Sequence, residues 1–235
     1  MRDRAGAGVS TTSSDRLYAH LREAILTGRL APGVEPFGDV AGMSVDPDRQ
    51  DALDAFSRLN FEGLVSYAPQ HGVVVSLISV TDVREALFIR EALETSLAAQ
   101  AALRMSESGK FEMRQNLRRQ RTALKSGDLA SFYAADVAFH AILASSLRLN
   151  VTTEILRGLH CHLDRIRRGL ACTADLAAQA LAEHLAIMES IAVFDDKSAA
   201  REMAAHLQRT ADRFEAQVRE RPWQFDFRRA NGAPE

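Results

Sequence analysis

Asp136 and His140 stand four residues apart in the run Asp136-Val137-Ala138-Phe139-His140. On an α-helix that spacing puts a carboxylate and an imidazole on one face, one turn apart, so both can reach a common point. Two further histidines, His184 and His206, lie ten residues before and ten residues after the break Phe194-Asp195-Asp196. Helices folded back at that break bring the two imidazoles to comparable heights. Inward-facing Asp, Glu and His on facing helices are how helical bundles build metal sites. Three imidazoles and a carboxylate suit a divalent transition metal (zinc, nickel, manganese or iron) and leave positions for water or a ligand. A lone Asp–His pair at this spacing is more often a plain hydrogen bond, so the pair by itself leaves both readings open. A metalloenzyme would also need a general base beside the metal. Glu183 adjoins His184 but points elsewhere on a helix, so none is nominated. His160 and His162 alternate around Cys161, point apart and read as structural.

These residues must be held by helices. From about Thr81 onward only two prolines occur, strand signals vanish, and apolar periodicity predicts six helices: about 81–104, 108–124, 128–147, 151–170, 174–193 and 197–219. Their short connections imply antiparallel neighbours, hence a bundle. Before them the text is different. Leu17, Leu21, Ile25 and Leu26 share one helical face, which Ser14 can cap and Gly28 can end. A weak second helix is expected over Phe37–Met43, and a third begins after Pro47 with Asp48 as cap and Gly63 as stop. Leu64–Tyr67 and Val73–Ser76 read as two strands around a turn. The chain is therefore expected to be mainly α, with a winged helix-turn-helix domain (14–77), a helical domain (80–220) and an irregular tail (221–235). Trp223, Phe225 and Phe227 suit that tail to docking on an apolar surface.

Bulk properties narrow the function classes. The 235 residues are 46% hydrophobic and 26% charged, ordinary for a globular protein. Two cysteines without metal-ligand spacing suit a reducing, cytoplasmic home. No apolar run approaches the roughly 18 residues of a membrane helix, so no membrane partner is expected. The net charge is −2, and residues 1–80 carry seven arginines against ten acidic residues. A basic nucleic-acid coat is absent.

The stretch Leu17-Tyr-Ala-His-Leu-Arg-Glu-Ala-Ile-Leu-Thr-Gly-Arg-Leu-Ala-Pro-Gly33 resembles the first helix and turn of GntR-type transcription regulators. Arg58-Leu59, Glu62-Gly-Leu-Val65 and Gly72 resemble the end of their recognition helix and wing. Ile89-Arg-Glu-Ala-Leu-Glu94, Asp136-x3-His140, Asn150, His184 and His206 resemble the FCD effector domain of the FadR-like branch, in its shorter six-helix variant. The resemblance covers about residues 14–220. It implies a homodimer that binds double-stranded DNA, with a small carboxylate effector bound near a metal. It places the metal on Asp136, His140, His184 and His206, and assigns Arg90 to the effector pocket. Arg49, His71 and Gly72 fall where the family's reading helix and wing meet DNA.

The reading helix departs from that pattern. Asp48 replaces the capping serine, Leu53 a DNA-contacting arginine and Asp39 a helix-two arginine, while Asp51 and Asp54 add acid. Phosphate neutralisation by Lys and Arg carries much of DNA affinity. Weak DNA binding is therefore expected, and a descendant that senses a metabolite without binding an operator is the main alternative. A metalloenzyme is the third reading.

Overall fold

The computed structural model describes residues 12–36, 49–68, 71–166 and 173–227, and the chain divides into two compact units, 1–77 and 78–235. The Phe37–Met43 helix, Asp39, Asp48 and the side chains of His160 and His162 lie outside the described residues.

In the first unit, α1 (Ser13–Leu26) packs against α2 (Arg49–Phe61), and β1 (Val65–Ala68) pairs antiparallel with β2 (Gly72–Val75). Leu17, Leu21, Leu26, Leu59 and Val75 are fully buried between them. Each such side chain contributes roughly 1.5–3 kcal/mol by leaving water. The cap of α1 is Thr12 rather than Ser14: its hydroxyl accepts from Asp15 N–H, and the Asp15 carboxylate accepts from Thr12 N–H, closing a capping box. Ser14 lies inside the helix instead. The free edge of β2 is also used, since Gly33 N–H donates to Val75 O and Val75 N–H donates to Val34 O.

The second unit is built on a helical bundle: α3 (Val80–Arg104), α4 (Glu107–Ser126), α5 (Leu129–Ser146), α6 (Asn150–Asp164), α7 (Ala174–Ala192) and α8 (Asp196–Glu220). These are the six helices of the periodicity, with ends moved by a few residues, except that the expected end of the fourth near 170 lies outside the described residues. Polar caps set most starts: Ser79, Ser106, Asp128, Thr173 and Asp195 each accept a backbone N–H from the first turn of their helix. Gly127, at φ +70°, ends α4. Packing is most extensive between α3 and α8, then between α4 and α5 and between α7 and α8. The core around Met113, Phe139, Leu143, Ile187, Ile191 and Met203 is closed to solvent.

Two expectations need amending. The segment after Arg221 is not wholly irregular: Phe225–Asp226 form β4, parallel to β3 (Ile78–Ser79), and Phe225 is buried against Phe214 while Trp223 stays 70% exposed. Also, α5 is apolar and long enough to cross a membrane, although half of it is buried within the unit. Its place in the core explains that composition, because a central core helix is apolar on most of its circumference.

Candidate metal centre

Three helices converge on one point in the bundle. Asp136 and His140 lie on α5, His184 on α7 and His206 on α8. One ring nitrogen from each histidine lies within 4.8 Å of the others, and all three side chains are buried. The α7–α8 turn makes this possible: Phe194 adopts φ +63° and Asp195 caps α8, so the two helices fold back at once. The His184 and His206 rings come to 4.7 Å between centroids, and Phe139 stacks on His184 at 4.0 Å.

The outer nitrogen of each ring faces an acceptor that periodicity and spacing did not point to. Gln120 Oε1 is 2.9 Å from His184 Nδ1. The Gln120 amide NH₂ is already engaged, donating to Asn116 Oδ1 and Ala135 O, so its oxygen must accept. Glu183 Oε2 is 2.6 Å from His206 Nδ1, and Glu94 Oε2 is 2.5 Å from His140 Nδ1 in a bent contact. These acceptors place the proton on Nδ1 in His184 and His206, while in His140 Nδ1 faces the Glu94 carboxylate. All three Nε2 atoms are buried and without a hydrogen-bond partner.

The electrostatics follow from this geometry. Burial pushes the His184 and His206 imidazoles well below their ordinary range, and the neighbouring rings and Arg90 push the same way. Burial pushes the Asp136 carboxyl up, against the opposing pull of His140 and Arg90. Burial would raise Glu94 too, but Arg90 and His140 outweigh it and hold that carboxyl low. Neutral imidazoles are the form that ligates metals.

Asp136 stands farther out than the three nitrogens, with Oδ1 3.7 Å from His184 Nε2. It faces a cavity of about 90 Å³ lined also by Phe132, Tyr133, Ala177, His206, Thr210 and Arg213. Arg90 is not part of that lining. It is 1% exposed and forks onto Glu94, Nε at 2.5 Å and Nη2 at 3.3 Å, which leaves Nη1 without a partner. Glu183 points away from His184 as helical geometry requires, yet that direction carries it onto His206 and onto Arg209 Nε at 2.6 Å.

In the first unit Arg49 opens α2 and is exposed, as is Leu53. Gly72 opens β2 at φ +72°, a conformation that favours glycine, and His71 Nδ1 is 3.4 Å from Glu35 Oε1. Two other cations of this unit are tied up internally. Arg22 pairs with Glu62 at 2.8 Å, and Arg58 pairs with Asp15 at 2.8 Å while lying over the Tyr18 ring.

Residues 85–209 match the FCD domain. The HTH-type transcriptional repressor RspR of Escherichia coli (strain K12) is 29% identical over 199 residues, spanning 85% of this chain and 87% of its own. An HTH-type transcriptional regulator in an unstable DNA locus of Streptomyces ambofaciens is 32% identical over 206 residues, spanning 87% and 86%. Among solved structures, one described as a transcriptional regulator GntR from Rhodococcus sp. RHA1 superposes with a TM-score of 0.69 at 21% identity, covering 86% of this chain and 98% of that one. E. coli McbR/YncC superposes with a TM-score of 0.65 at 16% identity, covering 86% and 98%. These last two are likenesses of fold.

Proposed function

This chain belongs to the FCD-domain family of GntR-type transcriptional regulators, and we propose that it is a metabolite-responsive one whose helical domain holds a divalent transition metal. It is a regulator and not an enzyme, as its relatives are. The observation that carries the metal reading is the set of three clustered, buried Nε2 atoms without hydrogen-bond partners, on rings whose opposite nitrogens face Glu94, Gln120 and Glu183. A buried polar atom without a partner costs roughly 1–3 kcal/mol, and three of them side by side cost more. His140, His184 and His206 would hold the ion, with Asp136 as a fourth ligand after a small inward movement. Zinc, nickel, manganese and iron all suit this nitrogen-rich donor set. The bound ion would supply an electrophilic point for an anionic ligand.

The effector we propose is a small carboxylate seated in the cavity beside Asp136 and His206. Arg213 lines that cavity and offers it a cation, while Arg90 has only Nη1 to contribute. Effector binding acts on the protein by favouring one of two arrangements, with differential affinity as the driving force. The working form is a homodimer in the cytoplasm, bound to double-stranded DNA through Arg49 and the wing at His71 and Gly72. Phe88 on α3 and Val151 and Ile155 on α6, exposed on two helices that pack together, support the dimer. Elemental analysis of protein purified without a histidine tag tests the central point. Close to one equivalent of transition metal per chain is expected. Less than about a tenth of an equivalent, with no uptake of added zinc, nickel or manganese, sinks the metal reading.

One observation favours a second reading, in which operator binding has been lost. Arg22 and Arg58 are internally paired, and the α2 surface carries acid at Asp54 beside Leu53. Absence of binding to duplexes from the chain's own upstream region, at low salt, would select it.

A further inference from the structure

The strongest concentration of unneutralised charge in the described residues lies on neither the reading helix nor the metal centre. It lies on α4, which carries six cations against two acidic residues over Glu107–Ser126. Arg114, Arg118, Arg121 and Lys125 follow one another at helical spacings of four, three and four residues, so they form one stripe. Arg119 flanks it, and all five are exposed. Arg114 has one distant carboxylate, Glu107 at 3.9 Å, and the others make no ion pair among the described residues.

We propose that this stripe is a second DNA-contacting surface, on the helical domain, that takes the phosphate backbone of a duplex. The proposal rests on the reading of this chain as a DNA-binding regulator. Three features favour a duplex over an acidic peptide. The stripe is straight and spans about 16 Å at 1.5 Å per residue. A duplex sets about ten phosphate charges along that length, far more than an acidic peptide offers. Most of the heads are arginines, whose fork suits phosphate oxygens. A groove beside the stripe, about 340 Å³ in volume, adds the donors of Gln115, Thr122, Ser126 and Ser131, the kinds of side chain that meet phosphates. Besides Glu107 at 3.9 Å from Arg114, Asp128 and, on the opposite flank, Glu189 are acidic residues next to the stripe. Since Arg22 and Arg58 are held by Glu62 and Asp15 in the first unit, α4 supplies the charge that the reading helix lacks.

The test uses the full-length protein and a mixed-sequence duplex of about 40 base pairs, followed through a salt series from low to physiological ionic strength. Arg118→Glu/Arg121→Glu should weaken binding at least tenfold and make the log–log salt slope shallower by about two, near 0.9 for each phosphate no longer neutralised. Arg118→Lys/Arg121→Lys should keep the slope, because lysine keeps the charge. Melting temperature and metal content should match wild type in both, which separates weaker phosphate neutralisation from a damaged fold. Unchanged affinity and slope in the charge-reversed protein overturn the proposal and leave the regulator reading intact. Failure of the wild-type chain to bind the duplex at low salt overturns both. Competition by poly-glutamate as effective as by duplex, at equal charge, overturns the choice of partner.

Discussion

Gln120 Oε1 and His184 Nδ1 are 2.9 Å apart, across two helices and sixty-four residues of sequence. That contact decides which way the imidazole can act as a ligand. The amide is held by Asn116 and Ala135, the ring is stacked on Phe139, and Nε2 is left facing His140 and His206. A metal site is set as much by these outer contacts as by its ligands.

Gln120→Leu should therefore lower zinc affinity by about 10–100-fold without loss of helix content. Asn116 Nδ2 still satisfies Ala135 O at 2.9 Å, so the α4–α5 contact survives. Competition against a chromogenic chelator measures the affinity, and circular dichroism checks the fold. An unchanged zinc affinity would show that the acceptor is dispensable.

Removing the metal should destabilise the protein. A ligand present at a hundred times its dissociation constant stabilises by about 2.7 kcal/mol. With about 2–4 °C per kcal/mol for a chain of this size, a chelator should lower the melting temperature by roughly 5–11 °C. His206→Ala should melt near the chelated value and lose its response to chelator. Calorimetry with and without chelator distinguishes these outcomes.

The metal-free protein should lose stability as pH falls below about 6.5. His184 and His206 have lowered pKa values in the folded state, chiefly from burial. The unfolded chain therefore binds more protons between the ordinary histidine pKa and the depressed folded one. Stability is full above that window and declines through it, by up to about 1.4 kcal/mol per pH unit for each histidine. Asp136 has the opposite sign, since its raised carboxyl favours folding only below its own titration. Urea midpoints between pH 7 and 5 report the slope, and His184→Leu/His206→Leu should flatten it.

The full chain should be a dimer at micromolar concentration, by light scattering, if the exposed apolar residues of α3 and α6 form the contact. Val151→Glu/Ile155→Glu should yield monomers while keeping metal content. A wild-type monomer across micromolar concentrations rules the dimer out.

The helices of the bundle and the pairing of Asp136 with His140 were legible in the sequence, because both are local. A 3.6-residue period places residues four apart on one face, and capping residues act within one turn of their helix. His184 and His206 also came to similar heights on sequence grounds, since equal distances from one tight turn survive small errors in helix ends. An interaction between distant segments leaves no periodic trace. Gln120 reads as an ordinary polar position and Glu94 only as the end of the Ile89–Glu94 motif, yet each is 1% exposed or less and meets an imidazole on another helix. Helical spacing turns Glu183 away from His184, but it takes the packing of α7 on α8 to aim it at His206. The burial of Arg90 is of the same kind. Its Glu94 partner is one turn away and visible in sequence, whereas its solvent exposure depends on the helices packed over it. Local rules fix direction along a helix, while burial and the choice of partner are set by the long-range packing that encloses these groups.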